Sequence, residues 1–178
     1  MLQPLGSRIL HSDRFILRPF VLEDTEMIFH SYLSDKDVCK FLEFNEYKSK
    51  EDVYQSLLIN ISRYQDPYYF HWAIVDKRNG FVIGSTSIHN INHCLLYGEL
   101  GICLSKYYWH QGVGKEILSL IMDYGMQYIG FKHYQAFSFE ENIVSRRLLL
   151  SLGLKESPEN DRFLWKNGVK HRIKCLKI

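Results

Sequence analysis

Apolar positions along the chain change their period several times, and each change marks an element. Arg14-Phe15-Ile16-Leu17-Arg18 alternates and stops at Pro19, which predicts a first strand. Met27, Ile28 and Tyr32 after Asp24 predict a short helix. Ser49, with Asp52 three residues on, forms a capping signature ahead of a second helix carrying Val53, Leu57, Leu58 and Ile61. β-rich runs at Tyr69 to Val75 and Phe81 to Ile88 flank Asp76-Lys77-Arg78-Asn79-Gly80, whose Asn-Gly pair predicts a hairpin. A turn at Asn90 to His93 leads into Leu95 through Leu104 and completes a three-strand antiparallel meander. Val113 to Tyr128 is strongly periodic and helical, His133 to Phe139 reads as a strand, and Asn142 to Leu152 as a helix closed by Gly153. Arg162 to Trp165 and Lys170 to Leu176 make a last hairpin across Asn167-Gly168. About seven strands and four helices result, an α/β (α+β mixed) pattern that packs as one mostly antiparallel sheet flanked by helices.

The helix from Val113 is preceded by a glycine-bearing turn, Tyr108-Trp109-His110-Gln111-Gly112-Val113-Gly114-Lys115. The first N–H groups of a helix lack intrahelical acceptors, the macrodipole adds partial positive charge there, and glycine lets an anion approach the backbone. A phosphate-bearing ligand is therefore the first to consider, beside the plainer reading of a helix entry that merely contains glycines. The turn is not a Walker A loop, because Trp109 and Glu116 stand where that motif needs Gly and Ser or Thr. A dinucleotide fingerprint is disfavoured by Ile117 at the third small position.

Composition narrows the class. The 178 residues suit one domain, 1–178, and a hydrophobic share of 46% with 15% aromatics supports a sizeable core. With 22 basic against 20 acidic residues and no basic block, neither nucleic acid nor a membrane surface is an expected partner. Cys39, Cys94, Cys103 and Cys175 are scattered without metal-ligand spacing and read as buried reduced thiols; no metal is expected. Met1 to Ser12 lacks the apolar core of a signal peptide, so a cytoplasmic protein is expected, as a monomer or homodimer.

Four ordered motifs carry a family resemblance. Trp109-His110-Gln111-Gly112-Val113-Gly114 is similar to the acetyl-CoA signature Gln/Arg-x-x-Gly-x-Gly/Ala of the GNAT N-acetyltransferases, except at its first position. The Arg-Phe-Ile-Leu-Arg-Pro opening, the Tyr-Trp pair before the glycines, Glu99-Leu100-Gly101-Ile102-Cys103-Leu104-Ser105, and Glu141-Asn142-x-x-Ser145 ending in Leu152-Gly153-Leu154 resemble the RimJ/RimL-type branch, named for acetylation of ribosomal-protein N-termini. The resemblance implies a sheet splayed at an acetyl-CoA site and direct acetyl transfer to a primary amine. Acceptors of this scaffold include protein or peptide α-amines, polyamines, amino-sugar antibiotics and small metabolites. A noncatalytic acyl-CoA-binding or regulatory protein is the rival class.

The resemblance also implies roles. His110, Gln111, Gly112, Val113, Gly114 and Lys115 would hold the pyrophosphate, and Ile102, Cys103 and Leu104 would offer backbone to the pantetheine. Glu99 is the first candidate for the catalytic base, with a strand glutamate that is ion-paired or solvent-facing as its other reading; His89 is a weaker candidate, beside the plainer reading of a loop-edge histidine. Many family members carry a tyrosine acid seven residues after the motif asparagine, where this chain has Leu149. Ser145 would stand in near the CoA sulfur, or serve only packing. Asn142 would clamp a pantetheine amide, cap its helix, or do both. Tyr107, Tyr108 and Trp109 read as core or as a wall of the acceptor cleft, and Phe41 to Lys50 as the acceptor lid.

Overall fold

Nine strands hydrogen-bond into one sheet in the computed structural model, which describes residues 1–178: β1 (Leu10–His11), β2 (Phe15–Arg18), β3 (Phe70–Asp76), β4 (Val82–Asn92), β5 (Tyr97–Leu104), β6 (His133–Phe139), β7 (Lys155–Glu156), β8 (Arg162–Lys166) and β9 (Val169–Lys177). The α-helices are α1 (Thr25–Ile28), α2 (Lys36–Cys39), α3 (Lys50–Ser62), α4 (Val113–Tyr124) and α5 (Ile143–Ser151). No helix is long and apolar enough to cross a membrane. The sheet order is β1-β2-β3-β4-β5-β6-β9-β7, with β8 also paired to β9. Every pairing is antiparallel except β5 with β6, whose crossover carries α4.

Strand alternation divides the core between two faces. Phe15, Leu17, Trp72 and Ile74 point to one side, where Val113, Ile117, Leu118 and Ile121 of α4 bury the stripe that the sequence period predicts. Ala73, Val75 and Val82 point to the other and meet Ile28, Val53 and Leu57 of α1 and α3. The start of α3 forms as predicted: Ser49 Oγ accepts from Asp52 N–H at 3.1 Å and Asp52 Oδ2 accepts from Ser49 N–H at 2.9 Å.

The parallel pairing of β5 with β6 runs only from Tyr97↔His133 to Leu100↔Ala136. Beyond it β5 stays on β4, out to Leu104↔Gly84, while β6 pairs with β9 through Phe139↔Ile173. The two strands diverge there, and the sheet is split in its middle.

Asp76 fixes the approach to the glycine turn from below. Its side chain is fully buried and accepts from Arg78 Nη2 at 2.7 Å and from the Tyr108 hydroxyl at 2.9 Å. Hydrogen bonds from Arg78 are the main cause holding its pKa down at about 2. A carboxylate with a lower pKa folded than unfolded (about 3.9) contributes stability above the unfolded value and loses it as pH falls through the folded one. The urea midpoint is therefore expected to fall between about pH 4 and pH 2, and Asp76→Asn to remove part of that slope. An unchanged slope in Asp76→Asn would assign the acid sensitivity elsewhere.

The mostly antiparallel sheet and its flanking helices are as the sequence period predicts, with β1, β7 and α2 added, which are too short to show a period. Other expectations are corrected. Strand β4 does not end at a turn over Asn90 to His93; it continues to Asn92 through a bulge, with Asn90 at φ 47°. Leu58 on α3 faces solvent, and of the four free thiols Cys94 is exposed and Cys103 half-buried.

Candidate active site

Gly112 is the N-cap of α4 at φ 75° and ψ 0°, a left-handed conformation that side-chain-bearing residues rarely adopt. His110, at φ 59°, completes the reversal. The first bond of the helix is Glu116 N–H to Gly112 O at 3.1 Å, so the N–H groups of Val113, Gly114 and Lys115 have no helical acceptor. No side chain caps them, and His110, Gln111, Gly112 and Lys115 lie exposed around them. The sequence reading missed Arg14. Its guanidinium donates to Glu116 Oε2 at 2.7 Å and to the Gln111 carbonyl at 3.1 Å, bracing the turn and offsetting the acidic residue in the first turn of α4.

Ile102, Cys103 and Leu104 lie on the part of β5 that β6 has left. The Trp109 indole N–H donates to the Leu104 carbonyl at 2.9 Å, so the open edge is reduced at Leu104. Trp109 thus braces the end of this edge; Tyr108 packs edge-on against Phe15, and Tyr107 is exposed rather than in the core. Asn142 caps α5, its Oδ1 accepting from Ser145 N–H at 3.1 Å. Leu148, one turn after Ser145 on the same face, is the side chain that a Cβ on Gly114 would meet at 2.8 Å, so the starts of α4 and α5 adjoin. Leu149 is only 4% exposed and belongs to the core, so the usual tyrosine position points away from open space.

Glu99, 5% exposed, is the one buried carboxylate beside the split. Its Oε1 lies 3.1 Å from His89 Nε2, its Oε2 accepts from Asn90 Nδ2 at 3.1 Å, and Arg162 Nη2 stands 3.8 Å off. Burial penalises its charge, but the hydrogen bonds from His89 and Asn90 and the nearby Arg162 guanidinium outweigh that and hold its pKa below the ordinary glutamate value. Both base candidates thus form one unit. Asn90 and Arg162 were missed by the sequence reading. The bulge brings Asn90 onto Glu99, where regular alternation would send it to the opposite face.

The segment expected as a lid closes on the sheet face that bears Glu99. Lys166 Nζ reaches the carbonyls of Cys39, Leu42 and Phe44 at 2.6, 2.8 and 3.0 Å, and Arg162 pairs with Glu43 at 2.7 Å. Beneath that segment, a cavity of about 240 Å³ is walled by Phe44, Tyr47, Tyr32 and Leu57 and reaches His71 and Ser85 on the sheet. Ser85 and Ser87 lie on the same face of β4, and Ser87 is paired with His71, so the cavity floor leads towards the Glu99 cluster. No carboxylate lines it. A larger, polar hollow of about 470 Å³ lies beyond, between α2 and the β8–β9 turn.

This geometry has recognisable relatives. A protein of Bacillus subtilis (strain 168), described as the uncharacterized N-acetyltransferase YoaA, is 26% identical over 170 residues, spanning 96% of each chain. The crystal structure of the ribosomal-protein-S5-alanine acetyltransferase from Vibrio fischeri superposes with a TM-score of 0.82 at 18% identity, over 97% of this chain and 96% of that one. The microcin C7 self-immunity acetyltransferase MccE, solved with acetyl-CoA and AMP, gives 0.81 at 17% identity, over 94% and 93%. The sequence profile of the acetyltransferase (GNAT) domain matches residues 14–155, from the arginine that braces the glycine turn to the first residue of β7. With a split mixed sheet and an uncapped glycine turn at its mouth, the chain belongs to the GNAT family of N-acetyltransferases, enzymes that use acetyl-CoA.

Proposed function

We propose that this chain, as a single N-acetyltransferase domain of the RimJ/RimL type, transfers the acetyl group of acetyl-CoA directly to the α-amino group of a protein or peptide N-terminus. The cavity beneath Phe44 and Tyr47 carries this reading. It is mostly apolar and without a carboxylate, whereas a polyamine or an aminoglycoside calls for acidic walls. Its volume of about 240 Å³ is below the ~300–1,000 Å³ typical of drug-sized ligands and suits a terminal residue with its side chain. An α-ammonium, with an ordinary pKa of about 8, also releases its proton far more readily than a lysine side chain at about 10.4. The likeness in fold to an S5-alanine acetyltransferase is compatible with this reading.

In this reading the pyrophosphate sits on the N–H groups of Val113, Gly114 and Lys115, flanked by His110, Gln111 and Gly112, and the pantetheine lies along Ile102, Cys103 and Leu104. Asn142 keeps its cap through Oδ1 and turns Nδ2 to a pantetheine carbonyl, while the Ser145 hydroxyl donates to the departing thiolate. Glu99 supplies the negative charge that draws the proton from the acceptor ammonium.

Short peptides with free Ser, Ala or Thr N-termini are expected to exceed spermidine, N-blocked lysine peptides and aminoglycosides in kcat/KM at equal pH. The expected margin is about tenfold or more, ~1.4 kcal/mol in the barrier. A preference for spermidine or an aminoglycoside would overturn the acceptor assignment and leave the family standing.

A further inference from the structure

Ser87, His89 and Glu99 form one hydrogen-bonded chain across β4 and β5. Ser87 Oγ lies 3.0 Å from His89 Nδ1, and His89 Nε2 lies 3.1 Å from Glu99 Oε1. An ionised carboxylate can only accept, so Nε2 carries a proton, and in the neutral imidazole Nδ1 is then the free acceptor to which the Ser87 hydroxyl donates. The chain therefore has a direction, inward from the hydroxyl to the carboxylate.

Its outer end lies at the split. Ser87 is paired with Gly101, the first β5 residue without a partner on β6. A Cβ on Gly101 would come within 2.7 Å of Ser87 Oγ and 3.1 Å of His89 Cε1, so the glycine is what allows the hydroxyl and the imidazole to lie over the strand at this point. His89 is 45% exposed, whereas Glu99 is buried with both oxygens bonded. A proton from outside thus meets Ser87 and His89 before Glu99.

We propose that Ser87 and His89 relay the acceptor's proton: Ser87 Oγ takes a proton from the ammonium as its own hydroxyl proton passes to His89 Nδ1. A neutral amine, an intact hydroxyl and an imidazolium paired with Glu99 result. The amine nitrogen then bonds to the thioester carbonyl carbon, the C–S bond breaks, the acylated nitrogen gives up a proton as the thiolate gains one, and His89 returns its proton to solvent. In this scheme Ser87 touches the substrate, while His89 and Glu99 act through it. The relay rests on the proposed function only in placing the reacting amine at the split, and it applies to any primary amine there.

Glu99, held below its ordinary pKa, is a poor final acceptor by itself, which agrees with a histidine taking the proton. The groups facing the pair are Arg162 on β8, 3.8 Å from Glu99, and His71 on β3, bonded to the Tyr69 hydroxyl. Burial, with His89 next, pushes His71 down to about 4, so it stays neutral across the working range.

The first test needs no acceptor. ¹⁵N chemical shifts of the His89 imidazole near neutral pH, assigned by their loss in His89→Gln, are expected to show the Nε2–H tautomer; an Nδ1–H tautomer overturns the relay. The second follows kcat against pH with acetyl-CoA saturating and the fastest amine of the panel above as acceptor. Ser87→Ala is expected to lower kcat by about 10-fold, Ser87→Thr to restore it, and His89→Gln to lower it by about 100-fold and abolish the acid limb, each with unchanged acetyl-CoA affinity. Ser87→Ala removes a single oxygen, so it decides the matter if His89→Gln fails to fold. Wild-type kcat and acid limb in folded His89→Gln, or wild-type kcat in Ser87→Ala, overturn the proposal. Preference for another amine in the panel overturns only the α-amine reading, because the relay is then measured on that amine.

Discussion

Gly112→Glu is expected to weaken acetyl-CoA binding by about 100-fold or more, ~2.7 kcal/mol, while the protein still folds. The cofactor is opposed directly, because a Cβ and a carboxylate stand where the pyrophosphate approaches, while the strain of about 1–2 kcal/mol for a side-chain-bearing residue in the left-handed conformation falls on the fold, free and bound alike. The free protein is less affected. The only atom within 4 Å of a Cβ there is Arg14 Nη2, at 3.9 Å, and a negative charge at a helix N-terminus is favourable. Gly114→Glu is less selective, since its Cβ would fall 2.8 Å from Leu148 Cδ2 and disturb the contact between α4 and α5. Titration calorimetry with acetyl-CoA, paired with thermal melting, separates the effects: Gly112→Glu should lose affinity with a small change in Tm, Gly114→Glu should lose both. Wild-type affinity in folded Gly112→Glu would move the pyrophosphate away from this turn.

The parts of this site that the sequence announced are those made by local backbone chemistry. Gly112 before a periodic run, Asn142 as a cap, and the capping pair Ser49 and Asp52 each act within a few residues, and each is found where its pattern lies. The Asn-Gly turns ahead of β4 and β9 and Gly153 after α5 are legible for the same reason.

Partners brought together by pairing left no such trace. Asn90 has a positive φ, and in a sequence an asparagine of that kind reads equally as a turn or as a bulge; the pairing Asn92↔Tyr97 decides it. That difference converts Asn90 from a connector into a donor to Glu99. Arg162 reaches Glu43 across 119 residues of chain, and Lys166 reaches the Cys39 carbonyl across 127. Neither has a local period to betray it. Ser87 was passed over because its significance comes from Gly101 on the next strand.

Glu99→Gln should lower kcat by about 10²–10⁴-fold near neutral pH, with acetyl-CoA affinity within about twofold of wild type, since the charge is lost and the shape kept. Glutamine offers one acceptor oxygen and one NH₂ where the native carboxylate accepts from both His89 and Asn90. Its amide must face one of those donors with its own NH₂ or turn the imidazole to the other tautomer, so the charge that stabilises an imidazolium and the order of the protons are both lost. A stability loss of about 1–3 kcal/mol, the usual cost of a buried donor without a partner, should accompany this and is measurable by urea unfolding. The turnover defect should shrink as pH rises towards the α-amine's pKa of about 8, where the acceptor arrives already neutral. The pKa of Glu99 is lowered by folding, so its contribution to stability is present above the unfolded value of about 4.3 and lost only as pH falls through the folded one. A pH dependence between about 6 and 9 therefore reports proton transfer and not unfolding through this group. Wild-type kcat in the folded variant at neutral pH would reduce Glu99 to a structural acceptor that fastens the β4 bulge to β5.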